Sequence, residues 1–171
     1  MLVRFMRGVL VALDLLLGVT AVIGGLSVIP TLPPQWLAGS PFTDYTLPAL
    51  ALTLIGVGAT LGGLLVMVRL AWGLELSIAV GAAIAVFEIV EMMVLGADVW
   101  LHALGLGPPP TSAITAANLD GIPAPLGIPL PLWLQPAYFL LGILIAAIAV
   151  QLWRYQHSPT LYLDQPAAAM S

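Results

Sequence analysis

The chain has 171 residues, 61% of them hydrophobic and only 7% charged, with a net charge of -4. A water-soluble domain carries about 25% charged residues, so this chain is too poor in polar side chains to cover an aqueous surface, and its mean hydropathy of +1.09 fits a bilayer. It has no cysteine, which excludes disulfides, thiol chemistry, haem attachment and thiolate metal sites, and its basic residues are too few for a nucleic-acid patch.

A helix needs roughly 20 apolar residues to cross a hydrocarbon core of about 30 Å. The first run, about 8–29, lies in "MLVRFMRGVLVALDLLLGVTAVIGGLSVIP". Its apolar stretch of about 22 residues exceeds the 7–15 of a signal peptide, and no A-x-A cleavage site follows, so it is expected to stay as a first helix. Pro30, Pro33 and Pro34 close it. The connection "AGSPFTDYTLP" places Ser40 and Pro41 as an N-cap and first helical position, with Asp44 in the first turn. A short helix or re-entrant turn is expected there, before a second span over about 47–69.

Arg69 stands in the turn to a third span, about 72–95. A Pro-rich segment, about 96–132, follows with "ADVWLHALGLG", "PPP" and "IPAPLGIPLPLW". It is expected to be irregular and to lie over one end of the bundle. The fourth span covers about 133–153, and residues 158–171 are expected to form a flexible tail. The expectation is an all-α, four-helix transmembrane bundle in a single domain over residues 1–157.

With four crossings, Arg4, Arg7, Arg69 and Arg154 all fall on one side. The positive-inside rule makes that side cytoplasmic and puts both termini there. Tryptophans agree: Trp72 and Trp153 flank this boundary, and Trp36, Trp100 and Trp133 the other.

Hydrophobicity cannot associate helices in lipid, whereas small residues and interhelical hydrogen bonds can. Each span carries such a stripe: Asp14, Gly18, Ala21 and Gly25; Ala49, Thr53, Gly56, Thr60 and Gly63; Ser77, Gly81, Ala85 and Glu88; Gln135, Tyr138, Gly142, Ala146 and Ala149. The acids of "FEIVEMMVLG" lie on or next to this face, Glu88 about 20° from Gly81 and Glu91 about 60° from Glu88. They are expected to point into the bundle. Two carboxylates one turn apart cannot both ionise easily in a low dielectric, so one is expected to hold a proton. Glu75 falls on the opposite face, within reach of Arg69 or Arg7.

The runs "AGSPFTDYTLPALALTLIGVGATLGGLL" and "GAAIAVFEIVEMMVLG" make the chain resemble an uncharacterised family of small bacterial four-helix integral membrane proteins. The resemblance rests on the Ser40-Pro41-Phe42-x-Asp44 motif of the outer loop and on a third helix ending in Glu91, Leu95 and Gly96. It covers roughly residues 8–155 on the span argument. This chain departs from the pattern in having Arg69 alone in the turn before helix 3, and in Glu88, where an aliphatic residue is usual. The resemblance implies a fold and a bacterial inner-membrane location, but no chemistry.

Asp14, Glu88 and Glu91 are the candidate functional residues, because intramembrane acids are costly and often serve proton or ion handling. The bland alternative is packing glue: Glu88 and Glu91 bonded to Gln135, Tyr138 or loop backbone, and Asp14 to Thr53, Thr60, a water or Arg7. If helix 3 continues past Gly96, then Glu91, Asp98 and His102 form one stripe able to hold a divalent cation at the outer surface. Ser27, Ser40, Ser77 and Ser112 have no adjacent histidine, so no enzyme is expected, and no cofactor either. The leading expectation is a non-enzymatic accessory or scaffold subunit, working through helix and loop contacts with a membrane-protein partner or another copy. Gly58, Ala59, Gly62 and Gly63 are its candidate docking face. The alternative is a small proton- or ion-coupled transporter built on the three acids.

Overall fold

The computed structural model describes residues 1–31, 37, 41–70, 72–95, 101, 104–106 and 134–157. Four long helices dominate it: α1 (Leu2–Ile23), α2 (Thr46–Met67), α3 (Trp72–Leu95) and α4 (Leu134–His157). Each is long and apolar enough to cross a membrane. Asp98 and His102 of the suggested cation stripe, the N-cap candidate Ser40, the outer tryptophans Trp36, Trp100 and Trp133, and the tail 158–171 lie outside the described residues.

Helix ends differ from the apolar limits at both arginine-bearing extremities. α1 begins at Leu2 and includes Arg4 and Arg7, while α4 runs on through Arg154 to His157. Hydropathy marks where a helix leaves hydrocarbon, whereas helix propagation stops only where backbone bonding fails, and arginine is a good helix former. His157 closes α4, its Nδ1 2.9 Å from the Trp153 carbonyl and its ring stacked on Trp153.

At its far end α1 widens into a π turn (Gly24–Val28) and tightens into a 3-10 turn (Ile29–Thr31). Pro30 explains both, since it offers no N–H and its ring crowds the carbonyl four residues back. No helix forms over Pro41–Tyr45. Asp44 Oδ1 instead accepts from Thr46 N at 2.8 Å, and α2 starts there.

The α2–α3 turn is a Schellman closure: Leu70 N donates to Leu65 O at 2.9 Å and Arg69 N to Val66 O at 3.2 Å. Arg69 occupies its left-handed position, φ 63°, where glycine is the usual residue.

The helices pack antiparallel in ring order, α1 on α2, α2 on α3, α3 on α4, with α4 closing on α1. Two close pairs form where glycines let backbones touch. A Cβ on Gly56 would meet Gly18 O at 2.8 Å, and one on Gly81 would meet Gly142 O at 2.7 Å. The centre is filled by Leu10, Leu17, Ala59, Ile84, Ile145 and Leu152. Large apolar side chains such as Leu16, Leu54, Leu61, Val86 and Leu144 cover the outside. Lipid-facing surfaces of this kind are what an aqueous protein avoids.

The expected docking face on α2 is consumed inside the chain. Val80 of α3 stands against Gly58 and Ser77 of α3 against Gly62, while Asp14 of α1 stands against Gly63. In a square bundle α2 has two neighbours, so small residues on two adjacent faces are needed for internal packing alone.

Candidate functional site

Two polar layers interrupt the apolar interior, one near the α2–α3 turn and one near the opposite, loop end. In the turn-end layer Asp14 (α1) is fully buried, as is Ser77 (α3). Ser77 Oγ lies 2.6 Å from Asp14 Oδ2 and 2.9 Å from Gly73 O, both within hydrogen-bond distance. A serine has one hydrogen for these two acceptors, so both contacts are complete only when Asp14 supplies a proton of its own. The remaining oxygen, Oδ1, is buried without a partner. That is tolerable for the carbonyl oxygen of a neutral acid and far costlier for a carboxylate.

Asp14 thus ties α1 to α3 across the diagonal of the bundle. The expected partners Thr53 and Thr60 instead bond within their own helix, to Ala49 O at 2.8 Å and Gly56 O at 3.0 Å. Ser77 was legible only as one member of a small-residue stripe. The usable signal was depth: α1 and α3 run parallel, and Asp14 and Ser77 fall at similar distances from the arginine-bearing end.

In the loop-end layer Glu88 is 3% exposed, and Glu91 is partly buried. Both face the bundle, as their angular position requires. Their side chains hydrogen-bond to each other, and Gln135 Nε2 of α4 donates to Glu91 Oε2 at 3.3 Å. Tyr138 (α4) bonds to Thr20 (α1) beside Glu88. Two acceptors stay buried and unpartnered here, Glu88 Oε2 and Gln135 Oε1. Just outside the spans, Tyr45 has its phenol pKa raised, first by burial and then by the Glu91 charge.

The layers are separated by about 16 Å along α3, eleven residues at 1.5 Å each. Leu17, Ala21, Ala59, Ile84 and Ile145 fill the interval and are buried. A cleft of about 630 Å³ opens between the end of α1 and the start of α2, among Gly25, Pro30, Asp44, Tyr45, Ala49 and Thr53. None of the three intramembrane acids lines it.

Glu75 behaves as an interface residue. It accepts from Trp153 Nε1 at 3.2 Å, in place of the arginine partner expected for it. Among the described residues no group of three or more His, Cys, Asp or Glu could hold a metal ion. No family model, curated protein or solved structure matches the chain. What fold and site together define is a multi-pass, all-α membrane bundle with two separated carboxyl layers.

Proposed function

We propose that this protein is a non-enzymatic membrane scaffold or accessory subunit, whose intramembrane acids fasten its own helices together. The observation that carries the reading is the buried apolar block between the layers. A carrier must let an ion or proton pass from one side to the other, and five buried aliphatic residues separate Asp14 from Glu88. Each acid also has a hydrogen-bond partner on another helix or one turn away, which is how polar residues serve as glue in lipid.

The bundle sits with its turn end in the cytoplasm of a bacterial inner membrane. Arg4, Arg7, Arg69 and Arg154 share that end, and cytoplasmic loops are rich in such residues. Arg69 supports the orientation separately. A non-glycine residue in the left-handed region costs roughly 1–2 kcal/mol, a cost the chain bears to keep a cation in its shortest turn.

Reconstitution tests the scaffold reading. Proteoliposomes carrying a pH gradient or a sodium gradient are expected to leak no faster than empty vesicles. Flux that Glu91→Gln abolishes would overturn it in favour of transport. The cysteine-free sequence gives a clean background for orientation. Leu70→Cys is expected to resist a membrane-impermeant maleimide in intact cells, and Thr43→Cys to react; the reverse pattern rejects the assignment.

A further inference from the structure

Charges of opposite sign are sorted along the bundle. Arg4, Arg7, Arg69 and Arg154 belong to the turn end, whereas Asp44, Glu88 and Glu91 belong to the loop end. Among the described residues Glu75 is the one acid at the turn-end surface, and it accepts from the neutral indole of Trp153. Asp14 is no counter-ion, since it is fully buried against Ser77 and its remaining oxygen meets no donor. Asp98 and Asp120 belong to the segment that joins α3 to α4 at the opposite end, and beyond His157 the sequence holds one acid, Asp164. Even with Glu75 and Asp164 both set against the four arginines, at least two guanidinium groups have no side-chain carboxylate of this chain at their end.

These groups stand at headgroup depth. The apolar span through α1 has 26 residues and that of α4 has 24, about 39 and 36 Å at 1.5 Å per residue. A hydrocarbon core is about 30 Å thick, so the helix ends outreach it. Arg4, Arg69 and Arg154 are exposed there, and Arg7 is half-buried. Exposed aromatic rings are interleaved with them: Phe5 beside Arg4, Trp72 three residues after Arg69, and Trp153 and Tyr155 on either side of Arg154. Tryptophan and tyrosine settle at the headgroup level, which holds the neighbouring guanidinium groups beside lipid phosphates. An acidic protein segment would call for the charge alone and gives no reason for the rings.

We infer that the turn end of the bundle is a binding surface for anionic phospholipids, whose headgroup phosphates its arginines engage. A guanidinium fork matches phosphate oxygens. A zwitterionic lipid brings its own ammonium to that phosphate, so a lipid without one gains more from the arginines. The surface consists of separate charges at one level and requires no convergence of side chains on a point. The inference is independent of the scaffold reading, which concerns flux, and of which side of the membrane this end faces.

The test is electron spin resonance of the purified full chain in phosphatidylcholine bilayers, comparing spin-labelled phosphatidylglycerol with spin-labelled phosphatidylcholine. From the immobilised fractions, phosphatidylglycerol is expected to associate about twofold or more in excess of phosphatidylcholine at low salt. The preference should fall toward parity at about 1 M sodium chloride, where screening acts within about 3 Å. Arg4→Gln, Arg7→Gln, Arg69→Gly and Arg154→Gln combined should abolish it. If that variant does not assemble, the Arg4→Gln, Arg7→Gln pair decides, with a reduced preference expected. Equal association of the two lipids with the wild type, or a preference that survives high salt or the loss of these arginines, would overturn the inference. Inorganic phosphate should displace the labelled lipid no better than chloride at equal ionic strength; specific displacement would identify a site for free anions and would overturn the lipid assignment.

Discussion

Substituting alanine at two helical glycines should shift stability in opposite directions. Gly81 faces α4, where an added Cβ would stand 2.7 Å from Gly142 O and 2.8 Å from Ala146 N, both backbone atoms that no rotamer change can move. Ordinary contact begins at 3.4 Å, so α3 and α4 would have to part by about 0.7 Å at their closest point. A gap of that size forfeits a quarter to a half of the local dispersion energy, and overpacking costs about 1–3 kcal/mol. Alanine recovers about 1 kcal/mol through helix propensity. Because both clashes are with backbone, the upper part of the range applies, and Gly81→Ala is left about 1–2 kcal/mol less stable. In contrast, Gly8 is exposed and its added Cβ meets nothing within 4 Å. Gly8→Ala keeps the whole propensity gain, about 1 kcal/mol. At about 2–4 °C per kcal/mol for a chain of this size, circular-dichroism melts in detergent should move down for Gly81→Ala and up for Gly8→Ala. A Gly81→Ala protein melting at or above the wild type would refute the close α3–α4 approach.

Further outcomes follow from the polar layers and the turn. Asp14→Asn should melt within about 1 kcal/mol of wild type, since an amide N–H replaces the acid proton toward Ser77. Asp14→Ala should lose about 2 kcal/mol, from the missing interhelical bond together with the vacated volume; an Asn variant as unstable as the Ala variant would show that Asp14 is ionised. Arg69→Gly should raise the melting midpoint, because it relieves the φ 63° backbone, by about 1 kcal/mol; a lower midpoint would mean that the arginine side chain contributes more than its backbone costs. Tyr45 ionises above the ordinary tyrosine value in the folded protein, so whatever stability this adds is lost as the pH rises through that raised value. Glu91→Gln should lower the Tyr45 pKa without restoring the ordinary one, because burial is the larger cause. Carbon-13 NMR of labelled tyrosine reads this directly, and an unchanged titration would separate Glu91 from Tyr45.

Helix count, span limits and inward faces were legible without coordinates because each depends on a local or one-dimensional property. Apolar run length sets a crossing, and the 100° rotation per residue places Glu88 near Gly81. Gln135 as a partner of Glu91 was equally accessible, since both lie on inward stripes near the same membrane boundary. Partner choice elsewhere was not accessible. Thr53 and Thr60 looked suitable for Asp14, but a helical threonine can satisfy itself on the carbonyl four residues back. Likewise, Glu75 accepts from Trp153 on α4, a partner that the pattern of a single segment does not reveal.

The amino-acid order by itself determined that four apolar stretches are long enough to cross a membrane, with arginines gathered toward one boundary and acids turned inward, because hydropathy and helical periodicity act along a single segment. Only the tertiary structure decided that Asp14 reaches Ser77 across the diagonal, that the glycines of α2 are covered from within, and that aliphatic side chains seal one carboxyl layer from the other. Those results depend on which helices become neighbours and at what depth, and small residues that permit close approach do not by themselves choose the helix that approaches.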